Sequence, residues 1–182
     1  MTYRNVVSAV VRALAAETIN SAGGCDFEPK VQCAKQKGAI VGKEAAFLDD
    51  CMVFSRLRKG LPTAYWLALL AQYSTHAERK HEAIAVIAKD IKSPAPERFR
   101  HAAVVTWAMP KQPGQEGKRS TNILPAGWYC MDNWLDEPVA ERTQYRWKSA
   151  ICKELKSMVD KALAEAQGIL DAEGLIEGDI AA

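Results

Sequence analysis

From Glu141 to Asp171 the chain runs without a proline and with one late glycine, Gly168. Apolar residues recur at Trp147, Ile151, Leu155, Met158, Val159, Ala162, Leu163, Ala166, Ile169 and Leu170. Steps of three and four put these side chains on one face of a helix. At ~1.5 Å per residue, about thirty residues make a rod roughly 45 Å long. The remaining elements have to pack along such a rod. Thr143 is the expected N-terminal cap and Gly174 the expected stop. The rod changes sign along its length. Arg142, Arg146, Lys148, Lys153 and Lys156 crowd its first half, while Asp160, Glu165, Asp171 and Glu173 face a single Lys161 in its second. The helix macrodipole favours acids first and bases last, so the basic start carries a local electrostatic cost and points weakly to a functional reason.

The rest of the chain reads as shorter helices. Tyr3–Asn20 repeats Val6, Val7, Val10, Val11 and Leu14. Lys43–Lys59 carries Ala46, Phe47, Met52, Val53, Phe54 and Leu57, with Asp49, Asp50 and Arg56 expected on its solvent side. Pro62 opens a helix to Tyr73 that buries Tyr65, Trp66, Leu69 and Leu70. His76–Ile91 presents Ile84, Val86, Ile87 and Ile91 inward. Ser93-Pro94-Ala95-Pro96 breaks the chain before Glu97–Met109, which carries Phe99, Val104, Val105 and Trp107. Leu124–Leu135 fits a short helix or a tight turn. Ser21–Gly38 loses the period and reads as an irregular loop. Strand signals are nearly absent. The fold class is therefore all-α, a multi-helix bundle with about seven helices. It divides into an N-terminal bundle (1–109), a basic linker (110–123) and a C-terminal helix-turn-helix-like unit with the long helix and an acidic tail (124–182).

Composition excludes several functions. A net charge of +2 over 182 residues rules out a globally basic chain and leaves room for a local basic face. Five cysteines without a CxxC pair read as reduced thiols in a cytoplasmic protein. Arg12 and Glu17 interrupt the first apolar run, unlike a secretory signal. No window approaches about eighteen uninterrupted apolar residues, so no membrane span is expected.

Catalytic chemistry has little support. The cysteines and His76, His81 and His101 lack the short spacing of zinc ligands, and only Cys25 with Cys33 merits a metal assay. Cys51, Cys130 and Cys152 sit among apolar residues as core thiols. Asp49 and Asp50, with Glu44 and Asp26, would be the residues of a metal-dependent nuclease, but adjacent acids on an outer helix face are usually solvated. No glycine-rich phosphate loop, GxSxG elbow or HExxH motif occurs, so a non-enzymatic protein without metal or cofactor is expected.

A nucleic-acid-binding pattern is better supported. Leu124 to Lys156 reads as short helix, turn and long helix. Arg142, Gln144, Arg146 and Lys148 lie on the opening turns of the long helix, where such side chains could read or grip base edges. Thr143 and Tyr145 would reach phosphate, Trp147 and Ile151 would face the core, and Lys111, Lys118 and Arg119 of the linker would add phosphate contacts. His76–Ile91 and Glu97–Met109 form a second, weaker helix-turn-helix candidate bearing Arg79, Lys80, Lys89, Lys92, Arg98 and Arg100.

DEPVAERTQYRWKSAICKELKSMVDKALAEAQGIL resembles the end of small phage transcription regulators, in particular the Q-type late-gene antiterminators. LALLAQY, Leu67–Tyr73, resembles the apolar element that precedes their helix-turn-helix. Thr143, Arg146, Lys148 and the tail Ile151–Leu170 resemble their recognition helix. Some fifty residues separate Tyr73 from the helix-turn-helix-like unit that starts at Leu124, whereas the corresponding elements lie close together in that group. The resemblance implies binding to promoter-proximal double-stranded DNA and contact with RNA polymerase. The leading expectation is a DNA-binding regulator of transcription; the alternative is a helical adaptor or inhibitor that binds a host protein, supported by Trp66, Trp107, Trp128 and Trp134. The long helix could also pair with its copy in a homodimer.

Overall fold

The computed structural model describes residues 3–22, 37–112 and 123–176, with side chains over 3–16, 46–112 and 123–176. These residues form six α-helices and no strand: α1 Val6–Ala22, α2 Lys37–Gly60, α3 Thr63–Tyr73, α4 Ala77–Asp90, α5 Glu97–Ala108 and α6 Glu141–Ala172. Among the described residues, no helix is long and apolar enough to cross a membrane.

The ends of the helices follow from local chemistry. Asn5 caps α1 by accepting from the Ser8 N–H at 2.8 Å, and Ser8 Oγ accepts from the Asn5 N–H at 3.3 Å. Pro62 and Pro96 stand just ahead of α3 and α5, where a missing N–H does no harm. α6 ends as expected at Gly174, whose φ of 66° only glycine adopts freely. Its N–H donates to Asp171 O at 3.0 Å and that of Leu175 to Leu170 O at 3.0 Å. The N-terminal cap is not Thr143. Ala140 occupies that position, and Thr143 lies inside the first turn with its N–H donating to Ala140 O at 2.8 Å.

Each helix contributes the stripe its periodicity demands, and the stripes meet in one core containing Val10, Leu57, Leu69, Ile84, Phe99, Val104, Ile151, Leu155 and Leu170. α6 packs against α1, α2, α3 and α5. Gly60 lets the end of α2 approach it: an added Cβ would lie 2.8 Å from Ile169 Cδ1. Among the described residues, α6 shares this one core with the helices that precede it. Some stripe members fall outside it. Val86, Met52, Val7 and Val11 are exposed, as they sit on the edges of their apolar arcs.

Asp50 departs from expectation. It is buried rather than solvated. Its carboxylate accepts from the Tyr3 hydroxyl at 2.7 Å and pairs with Arg12 at 3.1 Å. Tyr3 in turn donates its backbone N–H to Leu175 O at 2.8 Å, tying the segment before α1 to the end of α6. Removing this buried acceptor strands the Tyr3 hydroxyl, which is itself buried, so Asp50→Ala should cost about 1–3 kcal/mol. Urea denaturation checks this, and an unchanged midpoint would contradict it. Burial and the neighbouring Asp50 carboxylate raise the Tyr3 pKa well above its usual 10.0. The folded state therefore favours the neutral phenol. That contribution is present in full below pH 10.0 and is lost as the pH rises beyond it. Wild-type stability should fall faster than that of Tyr3→Phe above about pH 10, as read from urea midpoints at matched pH.

Candidate nucleic-acid interface

The segment before α6, expected as a short helix or a tight turn, holds no α-helix. Pro125 opens a 3₁₀ turn over Ala126–Tyr129, and a second follows over Met131–Trp134. Side chains of the second turn tie it to the first: Trp134 Nε1 donates to Trp128 O at 2.9 Å and Asn133 Nδ2 to Gly127 O at 3.0 Å. Residues 124–156 thus hold two 3₁₀ turns followed by one α-helix, where a helix-turn-helix would have two α-helices. The upstream candidate fails differently. Its second helix, α5, is buried from Phe99 through Thr106 apart from Arg100 and His101. Arg98 is paired with Asp136, and Arg100 donates to Ile91 O at 3.1 Å. Lys80 is half-buried, donates to Gln72 O at 3.4 Å, and has its pKa lowered by burial. A helix so enclosed cannot enter a groove.

The opening of α6 is anchored by three interactions. Trp147 packs edge-on against Phe99 at 5.5 Å, and Phe99 against Trp134 at 5.1 Å. Gln144, expected to read bases, is only 3% exposed. Its amide donates to Val139 O at 2.9 Å and to Asp132 Oδ1 at 3.2 Å, so it fastens α6 to the preceding segment. Lys148 is half-buried, with its ammonium 5.1 Å from the Trp134 ring centre, a cation–π contact rather than a free base. Thr143 is half-buried.

Arg142 and Arg146 are exposed and project outward together. They are joined by Lys153 and Lys156, also exposed, which stand among the bases of the rod but not among the expected contact residues. At 100° per residue the four fall within an arc of about 80° centred opposite Ile151 and Leu155, and span about 21 Å of helix. Tyr145, 56% exposed, borders them. None of the four takes part in an ion pair among the described residues. Beyond Lys156 the same stripe turns acidic with Asp160 and Asp171, both exposed. Lys111 is exposed; Lys118 and Arg119, like Cys25, Asp26 and Cys33, lie outside the described residues.

Among the described residues, no cluster of histidine, cysteine and acid could hold a metal ion. Cys130 is exposed, while Cys51 and Cys152 are half-buried, so none of the three is a core thiol as expected. Burial raises the Cys152 pKa, which keeps it a thiol. Gln144 was misplaced because residue type outweighed spacing: 144, 147, 151 and 155 share the apolar face. The same rule puts 142, 146, 153 and 156 together on the opposite, outward face.

No protein-family model matches this chain, and no characterised protein or solved structure does.

Proposed function

We propose that this protein binds double-stranded DNA through the outward stripe of α6 and acts as a non-enzymatic regulator of transcription. The observation that carries this reading is the set of four exposed bases, Arg142, Arg146, Lys153 and Lys156, with no acid paired to them among the described residues and held on a rigid core-packed helix. Unpaired cations on one face attract phosphate without paying to break an internal ion pair. The likeness to phage antiterminators supports RNA polymerase as a second partner. In this proposal the stripe lies against the duplex backbone, and the buried Gln144 takes no part in base reading.

With four phosphate contacts, affinity should fall about 150-fold between 50 and 200 mM salt. A mobility-shift assay with duplex DNA measures this; absence of a shift at low salt would refute the reading. A second reading, an adaptor for another protein, rests on Trp128 and Ile123, which are 38% and 68% exposed. Trp66 and Trp134 are buried and support it no longer. Capture of a protein partner that survives nuclease treatment, together with no DNA shift, would favour the adaptor.

A further inference from the structure

A cleft of about 330 Å³ lies between α5 and the two 3₁₀ turns, lined by residues that include Arg98, His101, Gly127, Trp128, Asn133 and Trp134. The DNA reading makes no use of it. Its walls are mostly carbon. Trp128 is 38% exposed, so an indole surface is open to a ligand. α5 is otherwise largely buried, yet Arg98 and His101 are exposed one turn apart where the cleft opens. The indole N–H of Trp134 and the amide N–H of Asn133 are already bonded to carbonyls of the turns. The cleft is thus formed in advance and offers aromatic faces rather than free donors.

Arg98 shows which ligand group suits the mouth. It donates to the Asp136 carboxylate and, at 3.3 Å, to Asn133 O. The Asp136 side chain is 77% exposed, so this surface pair contributes little and exchanges readily with another carboxylate. The volume is near the lower end of the usual range for ligand pockets, about 300–1,000 Å³, which suits one or two fused rings.

We propose that this cleft binds a small planar aromatic carboxylate. The ring stacks on Trp128, and the carboxylate replaces Asp136 at the Arg98 guanidinium with His101 as a second donor. A neutral ring lacks the anion, and a saturated acid lacks the stacking face. Trp134 lies in the cleft wall and also carries the Lys148 ammonium, so occupancy should be felt at the start of α6.

The test is calorimetric titration of the full chain with 1-naphthoate, 1-naphthalenemethanol and cyclohexanecarboxylate. The expected result is saturable one-to-one binding of 1-naphthoate, with each of the other two weaker by about tenfold or more. Trp128→Ala and Arg98→Gln should each weaken naphthoate binding to the same degree. The Arg98 side chain is 61% exposed and Trp128 is 38% exposed, and unchanged thermal melts would show that the variants fold. No saturable binding at millimolar naphthoate, equal affinity for the alcohol, or a folded Trp128→Ala that binds as well as the wild type would each overturn the proposal. None of these outcomes depends on DNA binding.

Discussion

Phe99→Ala is expected to lower the unfolding free energy by about 3–5 kcal/mol. Phe99 is fully buried in the core. Its ring meets Trp134 at 5.1 Å and Trp147 at 5.5 Å, both edge-on. Truncation removes the transfer energy of the ring, leaves a cavity, and forfeits two aromatic pairs worth about 0.5–1.5 kcal/mol each. Single domains are usually stable by only about 5–15 kcal/mol, so the variant should be marginal. Urea denaturation with a two-state fit measures the loss. A change below about 1 kcal/mol would mean the site collapses freely around the gap and Phe99 is not the bracket between α5, the 3₁₀ turns and α6.

The second large effect concerns binding. Replacing Arg142, Arg146, Lys153 and Lys156 together with glutamine should weaken duplex DNA binding by three to four orders of magnitude at about 0.1 M salt. Each base released from the interface returns its counterion, and the effects of four add on a logarithmic scale. Stability should hardly change, because surface substitutions away from special features usually stay within about 0.5 kcal/mol. Fewer bases in the first half of α6 also relieve their clash with the macrodipole. Fluorescence anisotropy with labelled duplex reads the affinity, and a thermal melt confirms the fold. A folded variant that binds as tightly as the wild type would remove the stripe from the mechanism.

Much of the helical framework was legible from spacing alone. Pro62, Pro96 and Gly174 marked ends that the structure keeps, and the stripes of α3, α5 and α6 contribute Leu69, Phe99, Ile151 and Leu155 to the core. The site was only half legible. The outward direction of Arg142 and Arg146 follows from the position of Ile151 and Leu155. The fate of Lys148 does not, because it depends on Trp134, which a 3₁₀ turn brings beneath it from an earlier segment. Asp50 shows the same limit. Its neighbours along α2 mark it as a surface acid, whereas its partners, Tyr3 and Arg12, are 47 and 38 residues away in the chain. No local pattern reports such a contact. The segment 124–135 was ambiguous for a related reason: its helix-like composition is overridden by Pro125 and by side chains of the second turn that bond carbonyls of the first.

The most direct measurement is the slope of log affinity against log salt for the wild type and for four single variants, Arg142→Gln, Arg146→Gln, Lys153→Gln and Lys156→Gln. A wild-type slope near about −3.6, with each substitution making it shallower by about 0.9, is what four cations gripping phosphates require. A wild-type slope near zero, or one that none of the four substitutions moves, would contradict DNA binding through this face of α6.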